Sequence, residues 1–164
     1  MSEPIKVGED APDFELDDHN EKAVRLSDLR GKKVLLSFHP LAWTGVCSKQ
    51  MKSLEKNYAA FKELKTVAMG MNVDSVPSKK AWATDLGLKR TRLLSDFWPH
   101  GGVAQQYGLF REKDGFSERA NVLVDGDGKV IFSKVYEIGE LPDIDEIIDL
   151  IRKKYEPPRE PGRG

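Results

Sequence analysis

The chain has 164 residues, of which 39% are apolar and 32% charged, enough for one domain with a sizeable core. A formal net charge of −1 removes any bulk electrostatic case for binding nucleic acid or an anionic membrane. No apolar run approaches the ~20 residues that a spanning helix needs, and a single cysteine excludes an internal disulfide. A lone free thiol suits a reducing compartment, and residues 1–4 lack the basic and apolar parts of a signal peptide. A cytoplasmic location is therefore expected.

In chain order, residues 1–12 read as an extended lead-in ending at Ala11-Pro12. Residues 14–16 and 24–26 alternate apolar and polar around a polar stretch, which predicts a hairpin. Ser27 can cap a short turn that Gly31 ends. Residues 33–38 form an apolar run predicted to be a buried strand, stopped by Pro40, which has no N–H for a ladder. Cys47, Met51, Leu54, Tyr58, Phe61 and Leu64 then recur at helical steps, predicting one helix to about residue 64. Residues 66–73 read as a second apolar strand. A second helix opens at 76–78, carries Trp82 and Leu86 on one side, and stops near Gly87.

Residues 92–95 suggest a short strand, 101–107 a short helix and 110–117 a loop. Strands at 119–124 and 129–133 are joined by the turn sequence Asp125-Gly126-Asp127-Gly128. A last helix begins near Pro142 with Ile144, Ile147, Ile148 and Ile151 on its apolar face. Residues 156–164, rich in Pro, Gly and charge, read as a disordered tail beyond a single domain spanning 1–155. This order predicts a three-layer α/β domain with a central mixed sheet and an N-terminal hairpin extension, and a thioredoxin-like arrangement satisfies it.

The only cysteine thus falls in the first turn of a helix, just past a strand end. Unpaired N–H groups and the positive end of the helix dipole favour an anion there, and the thiolate is the nucleophilic form of cysteine. Thr44, three residues earlier, can set a hydroxyl beside the sulfur. Two readings stand open on these grounds: a reactive thiolate, or a small hydrophobe in a core. His19, His39 and His100 are scattered and make a metal site unlikely to assemble. The 125–128 segment lacks a later acidic ligand and is a turn rather than a calcium loop. Lys79, Lys80, Lys89, Arg90 and Arg92 read as a solvated basic face, with docking of a partner as the alternative.

The motif Pro40-x-x-x-Thr44-x-x-Cys47 resembles the active-site motif of the peroxiredoxins. Gly8, Ala11-Pro12 and Phe14 resemble that family's opening, and Leu26-Ser27-Asp28-Leu29 with Gly31-Lys32 its approach to the catalytic strand. Leu94-Ser95-Asp96, Tyr107-Gly108 and Arg119 resemble its later segments. Residues 41–45 and 96–101 look most like the one-cysteine alkyl hydroperoxide reductase E group. Ser48 stands where many members have proline, and His39 where an aromatic residue often precedes Pro40.

The resemblance implies a thiol-dependent peroxidase that reduces hydrogen peroxide and organic hydroperoxides through Cys47, without a cofactor. It implies that Arg119 steadies the thiolate and the peroxide, that Thr44 holds a peroxide oxygen, and that Pro40 shelters the site. Backbone N–H groups at Val46 and Cys47 would serve as donors, and Gln50 would brace Arg119. With no second cysteine, the sulfenic acid needs an external thiol: a small thiol or a thioredoxin-, glutaredoxin- or mycoredoxin-like protein. A homodimer through Trp43, Phe97 and Trp98 is also expected by resemblance. The alternative reading is a peroxide sensor or redox relay that passes its oxidation to a partner.

Overall fold

Side-chain alternation sorts the core of the computed structural model, which describes residues 3–155. The tail expected at 156–164 lies outside the described residues. An antiparallel hairpin of β1 (Glu15–Asp17) and β2 (Ala23–Arg25) opens the fold, as expected. A 3₁₀ turn over Leu26–Leu29 follows, with Arg25 rather than Ser27 at its N-cap position and no side-chain cap. Ser27 instead donates its backbone N–H to Asp13. The lead-in is held along the far end of the molecule: Gly8 N–H donates to Val130 O, Val130 N–H to Glu9 O, and Ala11 N–H to Gly128 O.

The main sheet contains β3 (Lys33–Phe38), β4 (Thr66–Asn72), β5 (Arg92–Ser95), β8 (Arg119–Val124) and β9 (Val130–Tyr136), in the order β5-β4-β3-β8-β9. β3, β4 and β5 are parallel, whereas β8 runs antiparallel to β3 and β9 antiparallel to β8. The sheet is therefore mixed, as a tight turn between its last two strands requires. The stretch 110–117 is not a bare loop: β6 (Phe110–Arg111) and β7 (Phe116–Ser117) pair as a small separate hairpin.

Helices α1 (Gly45–Lys56), α2 (Tyr58–Glu63), α3 (Val76–Leu86) and α5 (Ile144–Lys154) contribute to the core on one face of the sheet. The first hairpin and α4 (Gly102–Gln106) contribute to the core on the other. The single helix expected to run past Cys47 to about residue 64 is two helices, because Asn57 leaves helical geometry and its Nδ2 donates to Ser53 O. Along β3, Val34, Leu36 and Phe38 point to the hairpin side and Leu35 to the α1 side. Along β8, Ala120, Val122 and Val124 share the hairpin side, which leaves Arg119, Asn121 and Leu123 facing α1. Gly70 of β4 lets α1 sit close, since a Cβ there would run into the thioether of Met51 and touch Leu93.

Candidate active site

Strand β3 ends at Phe38, and the chain passes through the buried His39 and Pro40 before entering α1 at Gly45. Cys47 is the third residue of that helix and is 1% exposed. Gly45, Val46 and Cys47 make up the first turn, whose N–H groups have no acceptor within a helix. The dipole adds positive potential at the same end. Thr44 sits at the N-cap position with extended backbone, yet its hydroxyl does not cap: Oγ1 donates to Leu41 O at 2.8 Å. Trp43, beside it, holds φ at 68°, a left-handed value that non-glycine residues adopt at a cost and often near functional sites.

Arg119 reaches Cys47 across the sheet. Its Nη1 lies 3.2 Å from Sγ and also donates to Gln50 Oε1 at 2.8 Å, while Nε donates to Ile138 O at 2.9 Å. The side chain is 3% exposed, and among the described residues no carboxylate forms an ion pair with it. A buried cation needs an anion. The side-chain atoms that face it are Cys47 Sγ and Gln50 Oε1.

Gln50 brings the network back to the sheet. Its Nε2 donates to Ser37 Oγ at 2.7 Å and to Phe38 O at 3.0 Å, and Ser37 Oγ in turn donates to Asn121 Oδ1 at 2.8 Å. Ser37 and Asn121 are register partners in β3 and β8. Ser37, Gln50, Arg119 and Asn121 are all buried and each is hydrogen-bonded, a condition under which a polar network rigidifies its surroundings. Structure thus brings Cys47, Gln50 and Arg119 into one network and adds Ser37 and Asn121 to it, while Pro40 and Thr44 lie on the loop before α1 and Val46 in its first turn. Ser37 and Asn121 carried a signal: each is a polar residue at an alternate position inside an otherwise apolar strand.

A second polar group underlies the loop from the other side. Asp74 Oδ2 accepts from Ala42 N–H at 2.8 Å, and Asn72 Nδ2 donates to the same carboxylate and to Pro40 O at 3.4 Å. Lys79 Nζ donates to Asn72 Oδ1. This corrects the reading of Lys79 as part of a solvated basic face, because the residue is fully buried. It stands one turn before Trp82 and Ala83 on the inward side of α3. Arg92 is likewise engaged, pairing at 3.0 Å with the buried Asp18, whereas Lys80, Lys89 and Arg90 remain exposed.

Burial is the main force lowering Lys79 to about 7, opposed by Asp74, Asp96 and Cys47. His39 packs against the ring of Trp82 at 5.3 Å, and neither ring nitrogen has a hydrogen-bond partner among the described residues. Burial, with Lys79 and Arg119 nearby, holds it well below the usual histidine range, so the ring is neutral. Among the described residues no group of three or more His, Cys, Asp or Glu could hold a metal ion, and no helix is long and apolar enough to cross a membrane.

A sulfur at a strand-to-helix junction of this layered sheet, faced by a buried guanidinium, marks the class as a thioredoxin-like protein working by thiol chemistry. The sequence profile of the AhpC/TSA family matches residues 7–133. Alkyl hydroperoxide reductase E of Mycobacterium tuberculosis is 41% identical over 140 residues, 85% of this chain and 91% of that protein. A putative peroxiredoxin bcp of Haemophilus influenzae is 35% identical over 157 residues, 91% of this chain and 97% of its own.

Among solved structures, a reduced 2-Cys peroxiredoxin of Plasmodium vivax superposes with a TM-score of 0.83 at 30% identity, covering 93% of this chain and 86% of that one. The peroxidoxin BcpB of Mycobacterium tuberculosis superposes with a TM-score of 0.79 at 27% identity, covering 90% and 97%. The chain belongs to the AhpC/TSA family of peroxiredoxins. It is a thiol-dependent peroxidase, and its one cysteine makes it the one-cysteine type.

Proposed function

We propose that Cys47 is the peroxidatic nucleophile and that Arg119, Thr44, Pro40, Val46 and Gln50 complete its site. The observation that carries this reading is the 3.2 Å approach of Arg119 Nη1 to Cys47 Sγ inside a buried polar network. In the reaction, the thiolate attacks one oxygen of hydrogen peroxide or an organic hydroperoxide. The S–O bond forms as the O–O bond breaks, and the bonding pair leaves on the second oxygen, which takes a proton to become water or an alcohol. Sulfur is oxidised to sulfenic acid and the peroxide is reduced. Arg119 places fixed donors where charge develops, the first-turn N–H of Val46 adds another, and Gln50 keeps the guanidinium from swinging away. The Thr44 hydroxyl, now on Leu41 O, is within the same loop and free to turn to an oxygen of the substrate. Pro40, fully enclosed, keeps bulk water off the sulfur.

Recovery runs through an external thiol: its sulfur displaces water from the sulfenic acid to give a mixed disulfide, and a second thiol releases Cys47. A thioredoxin-, glutaredoxin- or mycoredoxin-like protein, or a small thiol, fills this role in the cytoplasm. Trp43, Phe97 and Trp98 are 53%, 55% and 70% exposed, an aromatic surface suited to a homodimer interface beside the site. Sedimentation at low protein concentration tests the dimer, and a monomer with these rings still solvated overturns it.

The decisive test of the reaction is stopped-flow reduction of several peroxides by wild type and Cys47→Ser, with intact mass of the products. Wild type should gain one oxygen, or a mixed disulfide when thiol is present. Turnover retained by the serine variant sinks the assignment.

A further inference from the structure

Among the described residues Lys79 is the one buried lysine, and nothing in the peroxidase chemistry just described uses it. Its place is specific. α3 puts its ammonium under the 40–42 segment, bonded to Asn72, whose Nδ2 holds both Pro40 O and the Asp74 carboxylate that anchors Ala42 N–H. Trp43, the next residue, is tied to the same helix through Nε1 to Ser78 Oγ at 3.3 Å. The groups facing Lys79 are Asn72 at the end of β4, Asp74 just beyond it, Asp96 after β5, His39 after β3, His19 after β1, and Cys47 on α1. Asp96, 1% exposed, accepts from Ala104 N–H at 3.0 Å, and burial raises its carboxyl above the usual range.

A fully buried ammonium is costly to desolvate even when partnered. A methionine or leucine would fill the same space without that cost. The network explains the lysine only if the charge and its bond do something at the site. We propose that Lys79 is a positioning residue of the peroxidatic centre, fastening the 40–42 segment through Asn72 and acting as a second buried positive charge on Cys47. The proposal rests on Cys47 being the reactive sulfur.

The test uses readouts that need no peroxide, so it stands or falls separately from the peroxidase assignment. Iodoacetamide alkylation of Cys47 at pH 6.5 is compared in wild type, Lys79→Met and Lys79→Gln, with folding checked by circular dichroism. Loss of the charge should slow alkylation about three- to tenfold in both variants, the usual reach of one nearby buried charge. Peroxide reduction should fall further in Lys79→Met than in Lys79→Gln, which keeps a donor for Asn72. A second measurement leaves Lys79 untouched: NMR titration of its side-chain nitrogen in wild type and Cys47→Ser. The midpoint should move down when the sulfur is gone. An unchanged midpoint, or alkylation unaffected in a folded Lys79 variant, overturns the proposal.

Discussion

Replacing Arg119 by methionine isolates what the guanidinium contributes. The substitution keeps an unbranched chain in β8 but deletes three donors at once, to Cys47 Sγ, Gln50 Oε1 and Ile138 O. Removing one preorganised donor from a water-poor active site typically costs about 10²–10³ in rate, or about 3–4 kcal/mol of barrier. Here the positive charge beside the sulfur goes too, so a loss at the upper end, about 10³, is expected. Stability should change much less. Gln50, 2% exposed, is left with an unpaired oxygen that costs about 1–3 kcal/mol. Ile138, 38% exposed, can give its carbonyl to water instead. Relief of the buried cation offsets part of this loss. Arg119→Lys restores the charge but not the fork that reaches sulfur, amide and carbonyl together, and should recover only part of the rate. The assay is single-turnover oxidation by hydrogen peroxide, followed by stopped-flow and intact mass, alongside a denaturant melt. A methionine variant within threefold of wild type would refute the role given to Arg119.

Thr44→Val should lower the peroxide rate by about tenfold or more, the scale of one lost positioning hydroxyl, while melting within about 1 kcal/mol of wild type because the Thr44 residue itself is exposed. Thr44→Ser should restore most of the rate, and equal rates for valine and serine would dismiss the hydroxyl. His39 is held neutral in the fold, so below about pH 6.5 the unfolded chain binds a proton that the native state refuses. Its contribution is fully present above that pH and is lost, at up to about 1.4 kcal/mol per pH unit, as the pH falls. His39→Phe should therefore raise the melting temperature more at pH 5.5 than at 7.5, leaving a weaker slope of the same sign from His19; parallel shifts at both pH values would contradict this. Gly70→Ala should destabilise by about 1–3 kcal/mol through collision with Met51 and Leu93, read as a lower denaturant midpoint.

How far the sequence could be read depended on how long each signal ran. β3 and β5 fall on their expected boundaries because apolar runs end against punctuating residues such as Pro40. β4 is one residue shorter than expected. The apolar stripe from Cys47 to Leu64 survives the break at Asn57, since both helices turn the same face to the sheet, so periodicity alone hides a side-chain bond that interrupts the backbone. β6 and β7, two residues each, are too short to show any period. At the site, the spacing of Pro40, Thr44 and Cys47 was legible because it is local. Ser37 and Asn121 required knowing which strands are neighbours. Lys79 was misjudged beside Lys80, although its i, i+3 and i+4 relation to Trp82 and Ala83 placed it on the packed side of α3.

The antiparallel pairing of β3 with β8 has a temporal consequence. Arg119 meets Cys47 only because Ser37 stands opposite Asn121 and Phe38 opposite Ala120; a slip of one position would swing the guanidinium into the apolar layer under the first hairpin. A chain emerging from the ribosome makes its thiol 72 residues before the arginine that faces it. Until that late strand docks, the nascent sulfur lacks the guanidinium that faces it in the finished protein, so the geometry of the pair is complete only once the sheet is.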